Sequence, residues 1–202
     1  MKNGSPLTQS FFLAAVTVLL AGCASSPSVR FYTLTPVGHR EGATSSQEVA
    51  KHLSVSITPV EIPDYLDRPQ IVTRQGQNEL KLAEFDQWAG SLSDNISAVL
   101  AEDIATFLGS DRVSVYPGMH GEKTDFAVAM RILWLDCVPG SRVFLKARWT
   151  IFAGQDRKEV AMRTITFSES LGDKRYETMV AAFSHTLERL SRGIAREIAS
   201  RK

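Results

Sequence analysis

The feature that most constrains this chain is the apolar run over residues 11–21, which ends two positions before a cysteine, Cys23. The run is only about half as long as the roughly twenty residues that a helix needs to cross a bilayer. Lys2 is the only charged residue ahead of it, and no cluster of charges follows it. This layout predicts a secretory signal peptide over residues 1–22 that is cleaved. The folded body is therefore built from residues 23–202 in an oxidising compartment.

Leu20, Ala21 and Gly22 precede Cys23, and this order resembles the lipobox of bacterial lipoproteins. The peptidase needs small side chains beside the bond that it cuts, and only a thiol can carry diacylglycerol as a thioether. We therefore predict cleavage between Gly22 and Cys23, with a diacylglycerol group and acyl chains such as palmitate on Cys23. Several chains anchor a protein firmly, because each buried CH₂ contributes about 0.8 kcal/mol. The alternative is an ordinary signal peptide followed by an unrelated cysteine.

The residue after the cysteine is Ala24 and not the aspartate that usually retains such proteins in the inner membrane. This favours an outer-membrane destination, with the body facing the periplasm. The sequence carries 23 basic and 22 acidic residues, and the loss of Lys2 leaves the mature chain formally neutral. A basic footprint for nucleic acid is therefore absent.

Cysteine usage limits how the body can be stabilised. With Cys23 acylated, Cys137 is the only other thiol, so no intramolecular disulfide can form and a hydrophobic core must hold the fold together. Cys137 ends an apolar, strand-like run. This position predicts a small core residue, because a reactive thiol needs a basic and exposed neighbourhood.

The first part of the mature chain reads as short strands separated by connections. Ser, Pro and Gly in residues 24–29 and 37–50 predict mobile connections, and residues 31–34 between them have the composition of an edge strand. Residues 53–60 alternate apolar and hydroxyl side chains, as a half-buried strand does. Turn-forming residues 76–78 separate two further strand-like runs, which predicts a β-hairpin over residues 70–83.

Two amphipathic helices and a strand meander are predicted for the rest. Residues 88–109 and 174–201 repeat apolar side chains at helical spacing. Residues 112–116 form a short strand, and three longer strand-like runs follow at 126–138, 143–152 and 160–171. The sequence therefore predicts an α+β fold, in which an antiparallel β-sheet is packed by two amphipathic helices in two layers after the cleaved signal peptide. Residues 23–30 form a lipidated tether, and residues 31–202 form one domain.

No constellation of residues points to catalysis, a metal or a cofactor beyond the covalent lipid. His39, His52, His120 and His185 match no metal-binding spacing. The chain has no phosphate-binding loop, no dinucleotide fingerprint and no nucleophile elbow. The prediction is a protein that is not an enzyme.

Three segments, residues 31–34, 60–74 and 88–89, resemble the ABC-type transport auxiliary lipoproteins of the PqiC (YmbA) type. The most specific is Tyr-Leu-Asp-Arg-Pro-Gln-Ile-Val at positions 65–72, and the likeness covers essentially the whole mature chain in order and spacing. Such lipoproteins belong to systems in which an inner-membrane permease and an MCE-domain tunnel protein move lipid between two membranes. The resemblance implies a non-catalytic outer-membrane component that receives the periplasmic end of the tunnel, as a homo-oligomeric ring.

The segment 65–69 has two interpretations. It is a rigid turn, because prolines fix the backbone and the charged residues are solvated, or it is part of an interface between subunits or with a partner. The interface hypothesis assigns Tyr65, Leu66, Asp67 and Arg68 to the contact, since Tyr and Arg are enriched at interface cores. For the whole chain, the alternative to an adaptor is a periplasmic carrier or chaperone, in which the sheet and the helices line a lipid cavity.

We expect the intact mass of the natively expressed protein to correspond to a chain that begins at Cys23 and carries diacylglycerol and a further acyl chain. The Cys23→Ser variant should lack the added mass and retain its leader, because a hydroxyl cannot form the thioether. An unmodified Cys23 thiol, or an uncleaved leader in the native protein, would contradict the predicted anchor.

Overall fold

The computed structural model describes residues 27–39, 50, 52–117 and 124–201. Gly22, Cys23, His120 and most of the predicted connection at 37–50 lie outside these residues. Within them, eight strands and two α-helices form the fold. The strands are β1 (Arg30–Tyr32), β2 (Val55–Ile57), β3 (Gln70–Arg74), β4 (Leu80–Trp88), β5 (Val113–Val115), β6 (Phe126–Val138), β7 (Arg142–Ala153) and β8 (Lys158–Ser170), and the helices are α1 (Leu92–Leu108) and α2 (Tyr176–Ala199).

The larger sheet has five strands in the order β5-β2-β6-β7-β8. Strands β6, β7 and β8 form an antiparallel meander, as the alternation of side chains predicts. Strand β2 pairs parallel with both β5 and β6. The predicted α+β class with two helices is confirmed, and the sheet also contains parallel pairs that side-chain periodicity alone does not reveal.

Alternation along β7 decides which face of this sheet is buried. Leu145, Ala147 and Ile151 point inward and are fully buried, whereas Lys146 and Arg148 point outward and are exposed. Helix α2 contacts β7 and β8. The inward side chains therefore pack in the layer between the sheet and the helices, together with the apolar stripe of α2.

A β-bulge in β6 exchanges the two faces of that strand. The pairing with β7 shifts between Ile132 and Trp134, where one extra residue enters β6. Before the bulge Met130 and Ile132 are buried, and after it Leu135 and Cys137 are buried. An extra residue reverses the alternation of a strand, so Trp134 emerges on the outer face.

The smaller sheet has the order β1-β4-β3. Strands β3 and β4 form an antiparallel hairpin at the predicted turn. Strand β1 runs parallel to β4 with Phe31 opposite Gln87, and it is an edge strand as predicted.

Helix α1 begins later than the predicted start. The hydroxyl of Ser91 accepts a hydrogen bond from the backbone N–H of Asp94 at 3.2 Å, which caps the helix. The predicted stripe began at Trp88, but Trp88 ends β4 and its N–H donates to the carbonyl of Pro69. Gly109 ends the helix at a φ of 65°, a left-handed conformation that glycine adopts without strain. No helix in the described ranges is long and apolar enough to span a bilayer.

Phe183 links α2 to the smaller sheet, because its ring is buried and lies edge-on to that of Trp88 in β4, with 6.4 Å between ring centroids. We expect Phe183→Ala to lower the free energy of unfolding by about 3 to 5 kcal/mol, since the change leaves a cavity. Urea denaturation followed by circular dichroism measures this loss. The exposed Met162→Ala should change the value by no more than about 0.5 kcal/mol, and an equal loss in both variants would contradict the assignment of Phe183 to the core.

Candidate interaction surfaces

The carboxyl-terminal half of β6 extends past its partner β2, and the chain that follows β2 covers the edge that is left. The N–H of Glu61 donates to the carbonyl of Met130, and the N–H of Ile132 donates to the carbonyl of Glu61. The side chains of Glu61 and Arg131 form an ion pair across the same bridge. Residues 58–61 therefore continue the sheet beyond the end of β2.

Beyond the bridge at Glu61, the side chain of Tyr65 contacts the same edge of β6. Its hydroxyl donates to the carbonyl of Leu135 at 3.2 Å and lies 3.5 Å from the N–H of the same residue. Tyr65 lies in a 3₁₀ turn, Asp64–Leu66. Partial burial of the ring raises the pKa of the hydroxyl, so it stays a donor at physiological pH. Tyr65 thus satisfies the backbone of β6 on the edge opposite β7, at a point where no strand pairs with that edge.

The four predicted interface residues fall into two groups. Leu66 is buried in the core, and Tyr65 is half-buried against β6. Asp67 and Arg68 are exposed, and the Arg68 side chain has no hydrogen-bond or ion-pair partner within the described ranges. The first two residues make the segment a rigid turn, and this turn presents the other two to solvent.

Exposed apolar side chains lie next to this turn. Trp134 is 47% exposed on the outer face of β6, directly after the bulge and beside Leu135. The guanidinium of Arg74 lies 5.4 Å from the centre of the Trp134 ring, within the range of a cation–π contact. Leu80 pairs with Arg74 across the hairpin, and Leu82 lies two residues further on the same face; they are 37% and 45% exposed. We call Leu80, Leu82 and Trp134, with the ion pair of Arg74 and Asp136, the Trp134 patch.

The ion pair fixes the geometry of the Trp134 patch. The Nε atom of Arg74 lies 2.7 Å from Oδ2 of Asp136, and both side chains are largely buried. The guanidinium also donates to the carbonyl of Gln77 in the hairpin turn at 2.9 Å. One arginine therefore links the tip of the hairpin, β6 and the Trp134 ring. No pattern in the sequence points directly to this contact, because Arg74 and Asp136 are 62 positions apart.

Described residues line two clefts in which polar and apolar side chains are mixed. One, of about 80 Å³, lies beside Thr33, Gly90 and Asn95. The other, of about 340 Å³, is open and lies between the 3₁₀ turn at Val37–His39 and α2; it is lined by Thr35, His39, Glu177, Val180, Ala181, Ser184 and His185. His39 and His185 each lie 2.9 Å from a glutamate, Glu102 and Glu169 respectively. The described ranges hold no group of three or more residues that could ligate a metal ion.

Cys137 is buried in the core, as its place in an apolar run predicts. Burial raises the pKa of its thiol to about 12, because the thiolate would lose its hydration. The thiol is therefore protonated and unreactive in the folded protein.

Comparison with known proteins supports both the family and the fold. Residues 32–195 match the family described as ABC-type transport auxiliary lipoprotein component. A crystal structure of an uncharacterized protein superposes with a TM-score of 0.68 at 16% identity, covering 85% of this chain and 99% of the other. A protein from Xanthomonas campestris superposes with a TM-score of 0.62 at 17% identity, covering 87% and 94%. No curated protein matches the sequence. The two structural likenesses concern the fold alone.

Tyr65→Phe should lower the free energy of unfolding by about 1 kcal/mol, because the backbone of Leu135 loses its partner at the edge of the sheet. Chemical denaturation measures the loss. Tyr116→Phe is the matched control, since the Tyr116 side chain is exposed, and it should leave stability unchanged. Equal stability of Tyr65→Phe and the wild type would show that the hydroxyl does not complete the edge.

Proposed function

Because the chain belongs to the ABC-type transport auxiliary lipoprotein family, we propose that it is the outer-membrane lipoprotein of a lipid transport system that spans the periplasm. In this proposal it acts without catalysis, as an adaptor that docks an MCE-domain tunnel protein at the outer membrane. An inner-membrane permease completes the system. Acyl chains on Cys23 hold the body on the membrane.

The distribution of buried and exposed apolar side chains in the body supports the adaptor role. The inner face of the larger sheet is closed, because Leu145 and Ile151 of β7 are fully buried, as are Leu187 and Ile194 of α2. A carrier would need this face to line an empty apolar pocket of several hundred Å³. Exposed apolar side chains lie outside instead, and three of them form the Trp134 patch, where another protein can cover them.

The Trp134 patch has the composition of a protein interface. Tryptophan and arginine, which are in contact here, are residue types that supply much of the binding energy at such surfaces, and Leu80 and Leu82 add apolar area beside them. Arg68 lies in the turn that contacts β6 through Tyr65, and its side chain presents a positive charge to solvent. We propose that neighbouring copies of this chain meet at the Trp134 patch and the turn, forming a homo-oligomeric ring that receives the tunnel.

Native mass spectrometry separates this adaptor from the alternative, a lipid-binding carrier. A lipid-free oligomer of the mature body supports the adaptor. A monomer that retains lipid supports the carrier, with the cleft beside α2 as its first candidate site because its lining includes Val180 and Ala181.

Charge reversal tests the interface. We expect Arg68→Glu to lower the oligomer mass measured by light scattering, and to weaken binding to the tunnel protein at least tenfold, which corresponds to about 1.4 kcal/mol. The Arg68 side chain is exposed and has no partner within the described part of its own chain. Reversing its charge should therefore weaken contacts with a neighbouring molecule without destabilising the fold. Lys158→Glu, at an exposed position in β8, is the control and should change neither property. Unchanged assembly and unchanged binding in Arg68→Glu would reject the proposed role of the turn.

A further inference from the structure

Strand β1 presents two different faces. Arg30 and Tyr32 point toward the body, and both contact Asp86 of β4. Val29 and Phe31 alternate with them and so point the other way. Val29 is 43% exposed and Phe31 is 65% exposed, the largest exposed fraction among the large hydrophobic side chains of the described ranges.

The polar face of β1 holds the strand in this orientation. The Nε atom of Arg30 and the hydroxyl of Tyr32 each donate to Oδ1 of the buried Asp86 at 2.8 Å. The Tyr32 ring packs against Tyr176 of α2, with 6.3 Å between centroids. Rotation of the strand would break both hydrogen bonds to a buried carboxylate, which is costly. Phe31 is therefore held outward by its neighbours.

The position of β1 in the sequence keeps this apolar face near the anchor. Six residues, 24–29, separate Cys23 from the strand, and even a fully extended chain of this length spans only about 20 Å. None of these six residues is charged. Arg30 is the first charged residue after Cys23, and its charge is balanced by Asp86 and by Glu177, 4.0 Å from its guanidinium. The segment therefore brings no unpaired positive charge toward the bilayer.

We propose that Val29 and Phe31 form a second, non-covalent contact with the lipid surface that holds the acyl chains of Cys23. The contact rests on the anchor of the proposed function and goes beyond it, because it orients the body relative to the bilayer. Acyl chains alone leave a flexible attachment, whereas side chains on a fixed strand set which end of the body faces the membrane. A lipid surface is favoured over a second protein copy because every copy carries its own short tether to the bilayer.

Site-specific fluorescence tests the contact. Phe31→Cys, in the full acylated protein, is labelled with the environment-sensitive dye NBD and reconstituted in vesicles of phosphatidylethanolamine and phosphatidylglycerol. Cys137 does not compete for the label, because its thiol is buried and protonated. Met162→Cys is the matched control, since it is exposed on a strand of the other sheet. The exposure of both positions lets the label be carried without disturbing the core.

We expect NBD at position 31 to show blue-shifted emission, quenching by lipids that carry a doxyl group on the acyl chain, and protection from iodide in water. The label at position 162 should show the opposite pattern. Quenching of the label at position 31 by iodide would overturn the contact, because the label would then lie in water. Blue-shifted emission without quenching by doxyl lipid would also overturn it, because protein and not lipid would then cover the strand. Quenching of both positions by doxyl lipid would also overturn it, as the body would then lie unspecifically on the bilayer.

Intact-mass analysis of the same samples separates the two proposals. Acyl chains on Cys23 combined with an iodide-accessible position 31 would overturn the lipid contact alone. A sample without acyl chains would overturn the proposed anchor, and the contact with it.

Discussion

The pairing of β6 on both of its edges is the constraint on which the rest of the fold depends. One edge carries β7 along its full length, and the other carries β2, then the bridge at Glu61, then the hydroxyl of Tyr65. A long strand with an open edge invites pairing with other chains. Because successive segments of one stretch of chain close this edge, the turn that follows is fixed in place. The hairpin of β3 and β4 begins directly after that turn, and its arginine reaches back to Asp136.

In this arrangement the side chains that close the core are distinct from the exposed apolar side chains. The inner face of the sheet is filled by helix side chains, so cohesion comes from the buried apolar layer. The outer side carries the Trp134 patch at one place and Phe31 at another. The proposed adaptor role fits such a body, because its core is closed and its exposed apolar side chains remain available for the proposed contacts with a neighbouring protein and with the bilayer.

Local patterns in the sequence predicted the elements of the fold because those patterns are local in the structure. The meander, the hairpin and α2 follow from alternation or helical spacing within short windows. The predicted start of α1 at Trp88 was wrong. Trp88 lies four residues before Leu92 and so fits the helical stripe, but the helix begins only after the cap at Ser91. The parallel pairing of β1 with β4 joins Arg30 to Asp86, 56 positions away, and no short-range pattern encodes such a contact. The candidate site was foreseen only in part, because the turn at 65–69 has a distinctive composition whereas Arg74 meets Trp134 only through tertiary packing.

The β-bulge between Ile132 and Trp134 reverses, within strand β6, which alternate side chains point inward. Upstream of it, even-numbered side chains belong to the interior, and downstream the odd-numbered ones do. Trp134 and Asp136 therefore lie on the outer face, whereas Leu135 and Cys137, which alternate with them, belong to the buried hydrophobic layer. If β6 passed this point without a bulge, Trp134 would share the phase of Ile132 and point inward, so the outward position of the tryptophan depends on one extra residue.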